Sequence, residues 1–276
     1  MGRDSELGPP PRAWSLDADY FGDRHNILWD MDAGIALASD ASRGIWAFAD
    51  LRKSHFLLWI DSISALPSWE RAAPIRSMIH WMTITGGGTL AHMAAFGADG
   101  VYIGLTGPSG VGKSTTTAAA VAEGFDILAE DLTHVEVNDD AVTAGRVYDS
   151  IKVTDAALDK FAFLRELSAA AGGQKIDKTV FPLPAPLGTK QPLSALFSLS
   201  GRFSDQVEIV ATPKAKLFHR LAPATVFLLR TGGRLAFHRL GAMVRALPTF
   251  EVTPGADARE TARAIHRFAS ALRKNK

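Results

Sequence analysis

Between residues 34 and 60 the chain carries three short apolar runs, GIALAS, GIWAFA and HFLLWI, separated by the polar stretches DASR and DLRKS. Apolar runs of that length, punctuated that often, predict three strands of a small antiparallel sheet. The period then changes. In SWERAAPIRSMIHWMTI (68–84), Trp69, Ala72, Ile75, Ile79 and Met82 recur every three or four positions, which predicts an amphipathic helix with its proline near the start. TGGG (85–88) follows as a flexible break. It sets the expected boundary between a small N-terminal α+β domain over 1–87, suited to partner binding, and a second domain over 88–276. The first dozen or so residues, rich in Pro and Gly, are expected to be loose.

Beyond Gly88 strands alternate with helices. TLAHMAAFG (89–97) and GVYIGLTG (100–107) read as two strands joined at ADG. KSTTTAAAVAEG (113–124) reads as a helix closed by Gly124, and FDILAED (125–131) as the next strand. At the other end, GADARETARAIHRFASALRKNK (255–276) spaces Ala258, Ala262, Ile265, Ala269 and Leu272 along one face of a C-terminal helix. The fold class is therefore α/β.

Composition narrows the partners. With 276 residues the chain can bury a full core, and 47% hydrophobic and 21% charged residues are ordinary for a globular protein. Thirty Lys and Arg against 29 Asp and Glu leave a formal net charge of +1, so no global field favours nucleic acid or membrane. Neither is expected as a partner. The absence of cysteine excludes disulfides, thiolate metal sites and a cysteine nucleophile, and fits a reducing compartment. Without an apolar leader or spanning segment in its pattern, the chain is expected to be cytoplasmic. A homo-oligomer is compatible with all of this.

The chemistry sits in GLTGPSGVGKSTTT (104–117), which contains glycine, four residues, glycine, lysine and serine. Set between a strand and a helix, this order is a phosphate-binding loop. Glycines allow the tight turn that aims successive N–H groups at a phosphate chain, and the helix adds the positive end of its dipole. Gly107, Pro108, Ser109, Gly110, Val111, Gly112, Lys113, Ser114 and Thr115 are the expected nucleotide contacts, with Lys113 on the β/γ-phosphates and Ser114 on Mg²⁺. Only 17 and 18 residues past Lys113, ILAED ends an apolar strand in Glu130 and Asp131. Adjacent carboxylates beside such a loop divide labour, one holding Mg²⁺ and one accepting a proton from an incoming hydroxyl. LSGRF (199–203) resembles an ABC-type signature only faintly, since the following QVEIVATPK lacks the terminal acid pair; no Asn-Lys-x-Asp element of a GTPase is present.

A histidine-bearing strand ahead of the loop, a glycine closing the next helix and an acid pair ending the next strand together resemble the catalytic domain of HPr kinase/phosphorylase and its relatives. Their P-loop domain is similar to that of phosphoenolpyruvate carboxykinase. The resemblance is carried by His92, Gly124 and Glu130-Asp131, is specific over 88–137, and continues more loosely to about residue 250. It implies a P-loop kinase domain that uses ATP and Mg²⁺ to phosphorylate a serine hydroxyl on a small protein or peptide. His92, Glu130 and Asp131 would be catalytic, with Glu130 the general base and Ser114 and Asp131 on the metal. RVYDSIKV (146–153) and DKTV (177–180) resemble lysine-bearing elements of the relatives that tailor ribosomal peptides, including lasso-peptide precursors, which adds Lys152 and Lys178. Both lysines follow polar residues and read as loop residues. The family usually carries Asp-Asp where this chain has Glu-Asp, a longer side chain at the first position. Arg202, Lys214, Lys216, Arg230, Arg234 and Arg239 are further cations that nothing in the sequence ranks. The alternatives are a small-molecule P-loop kinase and a nucleotide-sensing module without transferase activity.

Overall fold

The computed structural model describes residues 26–30, 32–40, 45–60, 62, 73–139, 141–170, 174–175, 178–182, 189–229 and 232–274. The Pro/Gly-rich start, Trp69 and Ala72 of the expected helix, Asp177 and Arg230 lie outside these residues. Two compact units are present: one takes in the chain up to Gly86 with Leu229–Gly233, the other Gly87–Leu228 with Arg234–Lys276.

In the first unit the three apolar runs form strands β2 (Ile35–Asp40), β3 (Ile45–Asp50) and β4 (His55–Ile60) of an antiparallel sheet. A further strand, β1 (Asn26–Asp30), precedes them and pairs with β2. Its pattern was silent because only three apolar residues lie between Asn26 and Asp30. Small side chains at Ala36, Ala47 and Ala49 leave room for Trp81, which is fully buried against them. Trp81 belongs to helix α1 (Arg76–Thr85), whose buried positions are Met78, His80, Trp81 and Ile84. The expected stripe through Ile75, Ile79 and Met82 is thus corrected. Ile75 adopts a left-handed conformation just before the helix, after Pro74, and Met82 is exposed, so the helix turns a different face inward.

The second unit is built on a nine-stranded mixed sheet in the order β5 (Thr89–Ala91), β9 (Thr133–Val137), β10 (Val142–Arg146), β14 (Lys190–Leu199), β7 (Val101–Thr106), β6 (Ala94–Ala98) and β8 (Asp126–Ala129), with β16 (Thr249–Thr253) on β14 and β15 (Glu208–Ala211) on β16. β14 runs parallel to β7 and β16; the other pairs are antiparallel. Alternation along β7 sends Val101, Ile103 and Leu105 to one face and Tyr102 to the other. On the first face they meet helices α2 (Lys113–Ala122) and α7 (Ala258–Lys274), through residues such as Ala119, Ile265 and Ala269. Tyr102 joins Leu217, Leu221, Leu240 and Met243 from α5 (Lys214–Leu229) and α6 (Gly233–Ala246). Burying each such Leu, Ile or Phe contributes about 1.5–3 kcal/mol, so the sheet is clamped from both sides. A second sheet, β11 (Ser150–Val153), β13 (Thr179–Pro182) and β12 (Gln174–Lys175), and helices α3 (Asp155–Lys160) and α4 (Ala162–Ala170) complete the unit.

Two expectations need correcting here. TLAHMAAFG is two strands: β5 pairs with β9, while β6 pairs with β7 and β8, and the chain bends at His92–Met93 to change partners. Lys152 lies within strand β11 rather than in a loop. Among the described residues no helix is long and apolar enough to cross a membrane.

Candidate phosphate-binding crevice

Sheet topology brings the chemistry-bearing residues to one edge. β6 is antiparallel to both β7 and β8, so those two strands end on the same side. Ala94 at the start of β6 stands opposite Leu105, and Ala95 opposite Ala129. His92 therefore emerges, just before β6, beside the glycine-rich loop that follows β7 and the acid pair that follows β8. β11 and the start of β13 bring Lys152 and Lys178 to the same cavity of about 150 Å³. Gly107, Pro108 and Val111 belong to the same loop without lining that cavity.

Loop geometry is that of an anion cradle. Gly107, Gly110 and Gly112 have φ of 149°, 80° and 102°, a region that strains any residue with a Cβ. At Gly107 a Cβ would press on Val111 and the Leu199 carbonyl, whereas at Gly110 and Gly112 it would project into open space. α2 then begins at Lys113 with no side-chain cap and no acidic residue in its first turn, leaving its first N–H groups to an external acceptor. Lys113 is buried, and its ammonium folds back to donate to the carbonyls of Gly107 at 2.8 Å and Pro108 at 2.9 Å. Burial lowers its pKa from the usual lysine value, and nearby Lys178 acts in the same direction, against Asp131 and Glu130.

The two carboxylates face different partners. Ser114 Oγ donates to Glu130 Oε1. Glu130 is only 6% exposed, and its Oε2 has no hydrogen-bond partner. Burial, followed by the neighbouring Asp131 charge, pushes Glu130 up to about 7. Asp131 is gripped instead: His92 Nε2 lies 3.0 Å from one carboxylate oxygen and Lys152 Nζ 2.7 Å from the other. Burial alone would raise Asp131, but the His92 hydrogen bond and the Lys152 charge outweigh it and hold the group well below the usual carboxylate range. His92 is itself anchored through its backbone N–H, which donates to Thr225 Oγ1 at 2.9 Å, while its ring Nδ1 is buried without a partner. Thr225, on α5, carried no signal in the sequence; a lone threonine in an apolar helix announces nothing.

A divalent cation and a phosphate chain fit these residues. Mg²⁺ is commonly held by one or two protein oxygens and shared with phosphates, and the Ser114 hydroxyl with the unsatisfied Glu130 Oε2 supplies such a set. Lys113, Lys152 and Lys178 add three cations around the same cavity. Chemically the crevice can bind polyphosphate, neutralise developing charge on a transferring phosphoryl group and accept a proton.

No family model matches the chain, and no curated protein does. Among solved structures the Hpr(Ser) kinase/phosphatase from Coxiella burnetii is similar with a TM-score of 0.38 and 10% identity, over 68% of this chain and 92% of that one. A likeness that slight leaves the reading of the site to the geometry.

Proposed function

We propose that the chain is a Mg²⁺-dependent P-loop phosphotransferase that moves the γ-phosphoryl group of ATP to a serine hydroxyl on a peptide or small protein. One observation carries the reading: an uncapped, glycine-rich loop and helix start opens onto a cavity that also gathers Lys113, Ser114, Glu130, Asp131, His92 and Lys152. The serine-peptide acceptor is supported by the sequence resemblance set out above.

In this reading the backbone N–H groups of 109–114 and the Lys113 ammonium bind and orient the triphosphate. Ser114 and Glu130 hold Mg²⁺, on the ground that these two side chains already meet; when bound, the metal neutralises charge on the phosphate oxygens. The roles expected of the acid pair from sequence are exchanged in this reading. Asp131, kept ionised and oriented by His92 and Lys152, accepts the hydrogen bond of the acceptor hydroxyl, aims its oxygen at the phosphoryl group, and takes its proton as the new O–P bond forms. Lys152 and Lys178 stabilise the equatorial oxygens as they gain charge.

The test is incubation with ATP labelled at the γ-phosphate, a panel of serine peptides and a panel of small alcohols. Label on a peptide supports the proposal. A labelled small molecule would point to a metabolite kinase, and tight nucleotide binding with no transfer to either panel would make the chain a sensing module.

A further inference from the structure

A stretch with an unusual charge lies away from the crevice. Of the chain's 30 Lys and Arg, seven fall between residues 212 and 250, and none of its 29 Asp and Glu does; the remaining 23 basic residues are outnumbered by those 29 acids. A nearly neutral protein has thus concentrated positive charge on one pair of helices, α5 and α6. Two of the seven are matched locally, since Lys216 and Arg220 both reach Glu251. Lys214, Arg234 and Arg245 are exposed.

Between the helices lies a cavity of about 210 Å³ with an apolar floor, made by Phe218, Phe237 and Val244, and a basic rim, made by Lys214, His238 and Arg245. Phe237 is 49% exposed and stands edge-on to Phe218 with ring centroids 4.8 Å apart; Leu235 nearby is 37% exposed. Lys214 donates to the Arg245 carbonyl, which ties the rim together across the two helices. A bulky apolar surface ringed by one sign of charge is costly to leave in water unless something covers it.

We propose that this groove docks an acidic segment of the acceptor peptide, with one apolar side chain seated between Phe218 and Phe237 and carboxylates on the rim residues Lys214, His238 and Arg245. Charge complementarity selects the occupant: an apolar ligand alone would not need the basic rim, and a polyanion without apolar groups would leave the aromatic floor wet. As an acceptor site, the proposal rests on the phosphotransferase reading, and α5 supplies the connection. The helix carries Lys214 and Phe218 at the groove and Thr225, seven residues on from Phe218, at the backbone N–H of His92. At 1.5 Å per residue the groove lies roughly 10–16 Å along the helix from the contact with His92, a span of about three to five extended residues. A docked segment would thus present a hydroxyl a few residues away to the crevice and raise its local concentration there.

Fluorescence polarisation on the full chain tests this, using a labelled acidic peptide with one central Phe, the same peptide with Ser at that position, and a basic peptide of equal length. The Phe-containing acidic peptide is expected to bind best and to weaken with salt. Phe237→Ala, Lys214→Glu and Arg245→Glu should each weaken it tenfold or more, with thermal unfolding of each variant checked against wild type. His238→Glu, at an exposed position on the rim, keeps the test open if another variant fails to fold. Lys113→Ala should leave peptide binding unchanged, so a failed phosphate loop is distinguishable from a failed groove. The proposal is overturned if the acidic peptide binds no better than the basic one, or if well-folded variants bind it as wild type does. It is equally overturned if the Phe and Ser peptides bind alike, or if anionic vesicles or an oligonucleotide respond to these substitutions while the peptide does not.

Discussion

Glu130 and Asp131 are neighbours in the chain, yet one is buried against Ser114 with an oxygen unsatisfied and the other is held between a histidine and a lysine. Their proton affinities move in opposite directions for that reason: the first is driven to about 7 by burial, the second held low by its two partners. Two acids at a strand end are therefore not a duplicated signal. One side of the crevice keeps a buried carboxylate oxygen without a hydrogen bond, and the other is paired and fixed in orientation.

The comparison breaks hardest at Lys113, the ammonium both sides feel. Lys113→Ala removes the cation nearest the expected phosphates and should lower ATP affinity and transfer by about 10³-fold; unchanged turnover would remove the loop from the mechanism. Next comes the division of labour. Asp131→Asn should lower transfer about 10²-fold even at saturating Mg²⁺, whereas Glu130→Gln should chiefly raise the Mg²⁺ concentration giving half-maximal rate. Initial rates across a Mg²⁺ series separate them, and identical curves for the two variants would erase the distinction.

Stability should split the pair by sign. Glu130 has a folded pKa of about 7 against an ordinary 4.5, so in the folded chain ionisation is disfavoured, and stability present below pH 4.5 is lost as pH rises through 7. Glu130→Gln relieves that loss and should stabilise the ligand-free protein by ~3 kcal/mol near pH 8, with little difference near pH 4. Asp131 is the reverse case. Its depressed pKa contributes stability above the ordinary carboxylate range that disappears as pH falls below it, so Asp131→Asn should lower the unfolding temperature at pH 8. Thermal unfolding of both variants at both pH values reads the signs, and shifts in the same direction would refute the contrasting environments. The smallest effect belongs to Thr225→Val, which deletes the hydroxyl that holds the His92 backbone N–H: about 1 kcal/mol of stability and a few-fold in transfer rate.

Much of the crevice was legible because its parts announce themselves locally. Glycines at 107, 110 and 112 can be read as a turn of positive φ, and acids that end an apolar strand must emerge at the sheet edge. His92 was legible as a position but not as a bend. TLAHMAAFG is apolar throughout, and only partner exchange between β9 and β8 reveals where it breaks. Lys152 looked like a loop residue because the strand β11 has four residues and pairs with a segment about thirty residues downstream. Which carboxylate turns towards Ser114 depends on side-chain directions after β8, and spacing carries no trace of it. In the first unit, the helix face was misread because the start at Arg76, set after Pro74 and a left-handed Ile75, rotates the buried stripe to Met78, Trp81 and Ile84.

Calorimetric titration of ATP into the protein, with and without Mg²⁺, in two buffers of different ionisation enthalpy, tests the crevice most directly. A site where Ser114 and Glu130 take the metal should bind ATP tightly only with Mg²⁺. It should release about half a proton per nucleotide at pH 7, falling towards none at pH 8–9 as Glu130 is already ionised. ATP binding that is absent, or that is equally tight without Mg²⁺ and releases no proton at pH 7, would contradict it.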